Sequence, residues 1–309
     1  MNSSIINIES WFTPIDILII TFTTITIGLP ILFLYLILLD KACHTIPMML
    51  VANSCLTAFV FACTMFSSFI IMLRNDLERI YYPDSYCIFR AYISYGTCAV
   101  FNYSFVLQAL YQYIRVIYPL VLFWQKRHIQ ILFVLKTWIL GFLCPIIFLF
   151  TNEIVYNHDN QVCQLPLRFS FSVIYISSSV YGIPVTMIIF IYYKLLQYVR
   201  EMSKNVTSIN VLARARRELK MIRNIVILVT ILIGVGFVYA IFIIMSFFNS
   251  LPKYHFRIAY VFGSSSFLLV IITLFQFTDP LKISLRKLIN RRPNKIAPII
   301  ILTKKKINI

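Results

Sequence analysis

The 309-residue chain is 60% hydrophobic and 13% charged, against about a quarter charged in a soluble globular domain. That much apolar surface excludes an ordinary water-soluble globule; lipid is the solvent that accommodates it. The formal net charge of +17 does not point to nucleic acid, because the basic residues lie between apolar blocks and form no single stripe.

Met1 to Ile15 contains no Lys or Arg, so no cleavable signal peptide is expected. The first apolar helix is expected to serve as its own targeting signal. Seven blocks meet the ~20-residue length that a hydrocarbon core requires. In chain order they are roughly Pro14–Leu39, Thr45–Leu73, Tyr86–Tyr118, Ile129–Phe150, Ser170–Tyr198, Ile222–Phe248 and Arg257–Thr278. Each is predicted to be helical, because backbone N–H and C=O groups find no water in lipid. The third block carries Ser94, Thr97, Asn102, Ser104 and Gln108 along its length, which predicts a helix enclosed by other helices. After the seventh block, Asp279-Pro280 opens an amphipathic stretch of about three turns. The expected fold is all-α: a seven-transmembrane bundle with a short amphipathic C-terminal helix. The expected divisions are an extracellular tail, 1–13, a membrane domain, 14–279, and a cytoplasmic helix and basic tail, 280–309. No internal repeat and no appended catalytic module is visible.

Charge sets the orientation. With the N-terminus outside, the outer segments hold only Arg74, Arg79, Arg90, Arg168, Lys253 and Arg257 of the 28 Lys and Arg residues. All the others fall on the cytoplasmic side, as the positive-inside rule requires. An odd number of spans then places the basic C-terminus inside as well. A plasma-membrane, multi-pass protein is expected, with lipid as a constant partner and no nucleic acid.

Cys55, Cys63, Cys98 and Cys144 lie within spans, where they pack as small apolar residues, and Cys43 lies on the reducing side. Cys87 and Cys163 remain on the oxidising side, where a disulfide would tie the loop between helices four and five across the mouth of the bundle; free thiols are the alternative. Asn2-Ser3-Ser4 reads as an N-glycosylation sequon on the outer tail. Asn205-Val206-Thr207 fits the same pattern but lies inside and should stay unmodified. The four histidines are scattered, and no spacing suggests a metal or a cofactor.

Several ordered motifs accompany this architecture. Helix two contains Asn53-Ser54-Cys55-Leu56-Thr57-Ala58. Helix three ends Tyr111-Gln112-Tyr113-Ile114-Arg115-Val116-Ile117-Tyr118-Pro119-Leu120. Helix four has Trp138 followed by Pro145, helix five Pro184 with Tyr192, and a basic stretch from Arg214 to Arg223 leads into helix six. From Pro14 to Arg292 the chain resembles a divergent rhodopsin-like (class A) G-protein-coupled receptor. The resemblance implies that an extracellular ligand drives a helix rearrangement read by a heterotrimeric G protein. It also implies coupling residues at the inner end: Tyr111, Gln112, Tyr113, Arg115 and Tyr192.

The departures are specific. Ala58 stands where the family carries the carboxylate that holds sodium, so no sodium site is expected. Gln112 stands at the arginine of Asp-Arg-Tyr and Tyr111 at its aspartate. Arg115, one turn further in, could substitute, although snorkelling to headgroups is the plainer role. Helix six has Gly236-Phe237-Val238-Tyr239 in place of Trp-x-Pro. At helix seven, Asp279-Pro280 is read as the start of the amphipathic helix and not as the family's Asn-Pro.

The family-like ligand positions are Ser94, Tyr95 and Cys98 on helix three, Tyr175 and Ser178 on helix five, Tyr239 on helix six and Ser264 on helix seven. Ordinary helix packing is the alternative role for each. No carboxylate lies in the outer half of helices three to seven, so an amine ligand is disfavoured relative to a peptide or a neutral, lipid-like one. A transporter or channel without G-protein coupling is the competing class. An enzyme is not expected, because no mid-span pair of catalytic groups is present.

Overall fold

A computed structural model describes residues 11–79, 82–118, 120, 123–124, 126–205, 227–228, 230–231, 233–234 and 236–289. The basic stretch Arg214–Arg223, the sequon at Asn2 and the tail from residue 290 lie outside these residues.

The chain is overwhelmingly helical. α1 spans Phe12–Leu39, α2 Ile46–Glu78 and α3 Cys87–Ile117. α4 starts as Arg127–Leu143 and continues through a 3-10 turn, Cys144–Ile146, to Ile147–Phe150. A hairpin follows, with β1 (Val155–Asn157) paired antiparallel to β2 (Val162–Gln164). α5 comprises Phe171–Ser177, a π-helical turn Ser178–Gly182, and Ile183–Asn205. α6 is helical over Gly236–Phe247, α7 over His255–Phe277 and α8 over Asp279–Ile289.

Among the described residues five helices are long and apolar enough to cross a membrane: α1, α2, α4 (Arg127–Phe150), α5 (Phe171–Tyr198) and α7. The chain is thus compatible with a multi-pass membrane protein. α3 is 31 residues long, but its hydropathy is diluted by the polar positions that the bundle encloses. The α6 segment Gly236–Phe247 is apolar but shorter.

Hydroxyl groups on apolar helices are satisfied locally. Thr21, Thr23, Thr24 and Thr26 each donate to the carbonyl four residues earlier in α1, at 2.7 to 2.8 Å. α3 packs against α2, α4 and α5, and α1 packs against α2 and α7. The α3–α4 contact depends on two small residues, Gly96 and Gly141. A Cβ added to Gly141 would come 2.4 Å from Val100 Cγ2 and 3.2 Å from the Val100 backbone nitrogen. Close backbone approach of this kind is how helices associate without a hydrophobic driving force.

Inside the bundle the polar side chains pair across helices. Gln108 on α3 donates to Ser54 Oγ on α2 at 2.7 Å, and Ser54 and Ser104 share a bond of 2.6 Å. The Trp138 indole N–H on α4 donates to Asn53 Oδ1 at 2.9 Å. α2 extends a turn beyond the expected end at Leu73. The added turn carries Arg74 paired with Glu78 at 3.0 Å, and the buried Asn75 and Asp76.

α8 leaves the bundle directly after Thr278, so Asp279-Pro280 does open the amphipathic helix. It docks on the short connection between α1 and α2. Ser284 Oγ donates to Asp40 Oδ2 at 2.6 Å and Lys287 Nζ reaches the same oxygen at 3.0 Å. The Ser284 hydroxyl, then Lys287, hold the Asp40 carboxyl down at about 2. Cys43 is buried beneath, its Sγ 3.4 Å from Ser284 Oγ.

Candidate functional site

The hairpin end of the bundle holds a cavity of about 280 Å³ lined by residues of α1, α2, α3, the β2 segment, α5, α6 and α7. Its walls include Phe61, Phe69, Phe101, Ile176, Val180, Ile243 and Phe267, and no charged side chain is among its lining residues. Polar groups are few and are held by named partners. Gln164, which follows Cys163, donates to Tyr260 Oη at 2.8 Å and accepts from Tyr95 Oη. Tyr95 in turn accepts from the Leu165 N–H at 3.2 Å. The hairpin therefore closes the cavity with its own residues, Gln164, Leu165 and Leu167.

A disulfide fixes that roof. Cys87, the first residue of α3, is bonded to Cys163 in β2, with a sequence separation of 76 residues. Closing a loop of that length removes denatured-state entropy, for a stabilisation of roughly 4 kcal/mol. Asp84 braces the same corner by accepting from Arg90 Nη1 at 2.9 Å, and the Arg90 guanidinium holds the Asp84 carboxyl below its usual range.

The shape of α5 has a cause in the sequence. Pro184 has no N–H, so the carbonyl of Val180, four residues earlier, loses its helical donor. The helix loosens there into the π turn Ser178–Gly182, and Asn102 Nδ2 on α3 supplies the missing donor to the Val180 carbonyl at 2.9 Å. The turn directs Ile176, Ser177, Val180 and Tyr181 to the cavity.

Of the positions expected to contact a ligand, Ser94, Tyr95, Cys98, Tyr239 and Ser264 line the cavity. Tyr175 and Ser178 do not. Both are exposed on the far side of α5, and the Tyr175 hydroxyl donates to the Cys144 carbonyl on α4 at 3.4 Å. Asn102, Gln164, Tyr181, Tyr260 and Phe267 complete the cavity and were not expected from the sequence. The proline four residues after Val180 was the legible signal for Asn102.

Above the cavity lies a buried ion cluster that sequence reasoning missed. Arg257, expected at the outer end of the seventh block, is completely buried in the first turn of α7. Its Nη1 contacts Asp16 of α1 at 3.0 Å and Asp76 of α2 at 2.7 Å, and its Nη2 donates to Asp76 Oδ1 at 3.0 Å. The Phe12 ring lies 4.2 Å from the guanidinium carbon. Two hairpin residues join in. Gln161 Nε2 donates to Asp76 Oδ1 at 2.5 Å, and the Arg257 backbone N–H donates to Asn160 Oδ1 at 3.3 Å. Gln161 adopts a left-handed backbone, φ 55°, which costs about 1 kcal/mol in a non-glycine residue and is held by that bond to Asp76. The visible signal was opposite charges, Asp16, Asp76 and Arg257, at the same end of three different apolar blocks.

At the α8 end, Tyr111 is buried against Leu50 and Leu107, and Gln112 is half-buried with its Oε1 unpartnered among the described residues. Arg115 is exposed, and Tyr113 and Tyr192 are half-buried. Ala58 is fully buried in the apolar core. Among the described residues no group of three or more His, Cys, Asp or Glu could hold a metal ion. In comparisons with known proteins, no family model matches the chain and no curated protein matches it.

Proposed function

We propose that the chain is a seven-helix plasma-membrane receptor of the rhodopsin-like, G-protein-coupled kind, with the hairpin end outside and α8 inside. The observation that carries this reading is the uncharged cavity beneath a disulfide-tethered hairpin, set in the half of the bundle opposite the basic α8. A ligand entering there touches α3, α5, α6 and α7 together. A difference in its affinity for two arrangements of these helices shifts the population between them. Five helices are apolar and long enough to span, and α3 and α6 complete the set of seven. The inner residues Tyr111, Gln112, Tyr113, Arg115 and Tyr192, with the Arg214–Arg223 stretch, are the proposed contact face for a heterotrimeric G protein. Leu288 and Ile289 are exposed on α8 beside its basic residues and suit it to lie along anionic lipid.

The test is ligand-stimulated nucleotide exchange with the full chain in lipid nanodiscs and a panel of purified G proteins. Exchange above the empty-nanodisc rate supports the reading, and no exchange with any class of G protein defeats it. The buried Asp16–Arg257–Asp76 cluster is the one observation that favours a transporter or channel, because ionisable groups within spans mark ion paths in such proteins. Ion flux into proteoliposomes, abolished by Asp16→Asn, would establish that second reading.

A further inference from the structure

We propose that the cavity takes a neutral, mainly apolar molecule of about two fused rings that carries one hydrogen-bond acceptor, held by the phenols of Tyr181 and Tyr239. The inference rests on the reading of this cavity as the ligand site and names the chemistry it selects. Size comes first. The cavity is about 280 Å³, roughly twice an engineered cavity that takes one benzene ring.

Charge comes next. Among the lining residues none is ionisable at neutral pH, so a buried cationic or anionic group would lack a counter-ion, at a cost of several kcal/mol. The nearby cations do not help: Arg257 is committed to two carboxylates, and Arg90 is paired with Asp84.

The polar inventory then decides the functional group. Tyr95 donates to Gln164 and Gln164 to Tyr260, Asn102 Nδ2 serves the Val180 carbonyl, and Ser94 and Ser264 return their hydroxyls to their own helices. Among the lining phenols, Tyr181 and Tyr239 differ from Tyr95 and Tyr260. Each is only half-buried and lines the cavity, and neither hydroxyl has a hydrogen-bond partner among the described residues. The Tyr181 ring lies beside Gly236, three residues before Tyr239, so the two phenols approach from neighbouring helices, α5 and α6. A phenol is a better donor than acceptor, because its lone pair is delocalised into the ring. An apolar molecule with a carbonyl or ether oxygen satisfies one or both donors, whereas a hydrocarbon leaves them unmet.

Three probes of matched size test this on the full chain in nanodiscs, by equilibrium binding: 2-acetylnaphthalene, 2-ethylnaphthalene and 2-naphthyltrimethylammonium. The ketone is expected to bind at least fivefold tighter than the hydrocarbon, and the ammonium ion not at all. Tyr181→Phe and Tyr239→Phe are each expected to weaken the ketone by about fivefold and leave the hydrocarbon unchanged. Gly263 lines the cavity with nothing within 4 Å of an added Cβ, so Gly263→Leu fills the space and separates cavity binding from partition into lipid. Equal binding of ketone and hydrocarbon overturns the proposal. So does a ketone affinity unmoved in both Phe variants, binding of the ammonium ion, or absence of ketone binding that Gly263→Leu removes. No G protein enters this assay. Failure of nucleotide exchange therefore strikes the receptor reading alone, and failure here strikes the ligand chemistry alone.

Discussion

Arg257 shows how much one side chain can decide. It is fully buried, neutralises charge from two helices and is stacked on a third group, the Phe12 ring. Arg257→Met removes the cation and leaves two buried carboxyl groups facing each other. The expected loss is about 3–5 kcal/mol, read as a large fall in the thermal unfolding midpoint. Adding Asp16→Asn and Asp76→Asn to the same chain should recover most of that loss, because a buried ion set is close to neutral when removed whole. A merely additive decline across the triple variant would show that the three residues do not act as a unit. Asn102→Ala is a smaller change of the same type. It leaves the Val180 carbonyl without a donor and should lower stability by about 1–3 kcal/mol, while Asn102→Ala combined with Pro184→Ala, which restores a backbone N–H, should regain part of it. In the sequence Asp16 lies near the start of the first apolar block, Asp76 just past the end of the second and Arg257 at the start of the seventh. Their meeting depends on how α1, α2 and α7 are placed side by side, information that no local pattern contains.

At the scale of elements, helix packing and helix docking set different requirements. Gly141 is pressed against Val100, whereas Gly28 on α1 has nothing within 4 Å of an added Cβ. Gly141→Ala should therefore destabilise the purified protein by about 1–3 kcal/mol through overpacking, and Gly28→Ala should leave it unchanged or slightly more stable. Thermal unfolding of the pair in one detergent compares them directly. Docking of α8 depends on Asp40. Its carboxyl is depressed to about 2, so its bonds to Ser284 and Lys287 are fully present above the ordinary carboxylate value. They weaken only as pH falls toward 2. Asp40→Asn should thus raise the alkylation rate of the buried Cys43 at neutral pH, while a drop from pH 7 to pH 5 in the parent chain should not. Most elements were legible in advance, because long apolar blocks, a proline in α5 and Asp279-Pro280 before α8 are local signals. The exposed placement of Tyr175 and Ser178 was not legible, because which face of α5 meets the cavity depends on its packing against α3.

The molecule as a whole divides into two ends with opposite character. One end holds a covalently tied hairpin, an ion cluster and an apolar chamber; the other holds an exposed Arg115 and a basic surface helix. A set of long apolar helices was legible from composition and the Cys87–Cys163 bond from the placement of the cysteines, whereas the cavity positions Ser94, Tyr95, Cys98, Tyr239 and Ser264 came from the family resemblance. The proposed orientation predicts that a tag at the N-terminus is stained on intact cells and that a tag at the C-terminus is stained only after permeabilisation. Staining of the C-terminal tag on intact cells would reverse the whole arrangement.

Asp16 and Arg257 are 241 residues apart in the chain, yet Arg257 is the cation that Asp16 shares with Asp76. A ribosome delivers α1 and α2 to the bilayer long before α7, so through most of synthesis two acidic groups wait with no cation to meet them. A chain cut short before Arg257 therefore lacks the cation against which Asp16 and Asp76 are buried. The seventh helix is the one that completes the first.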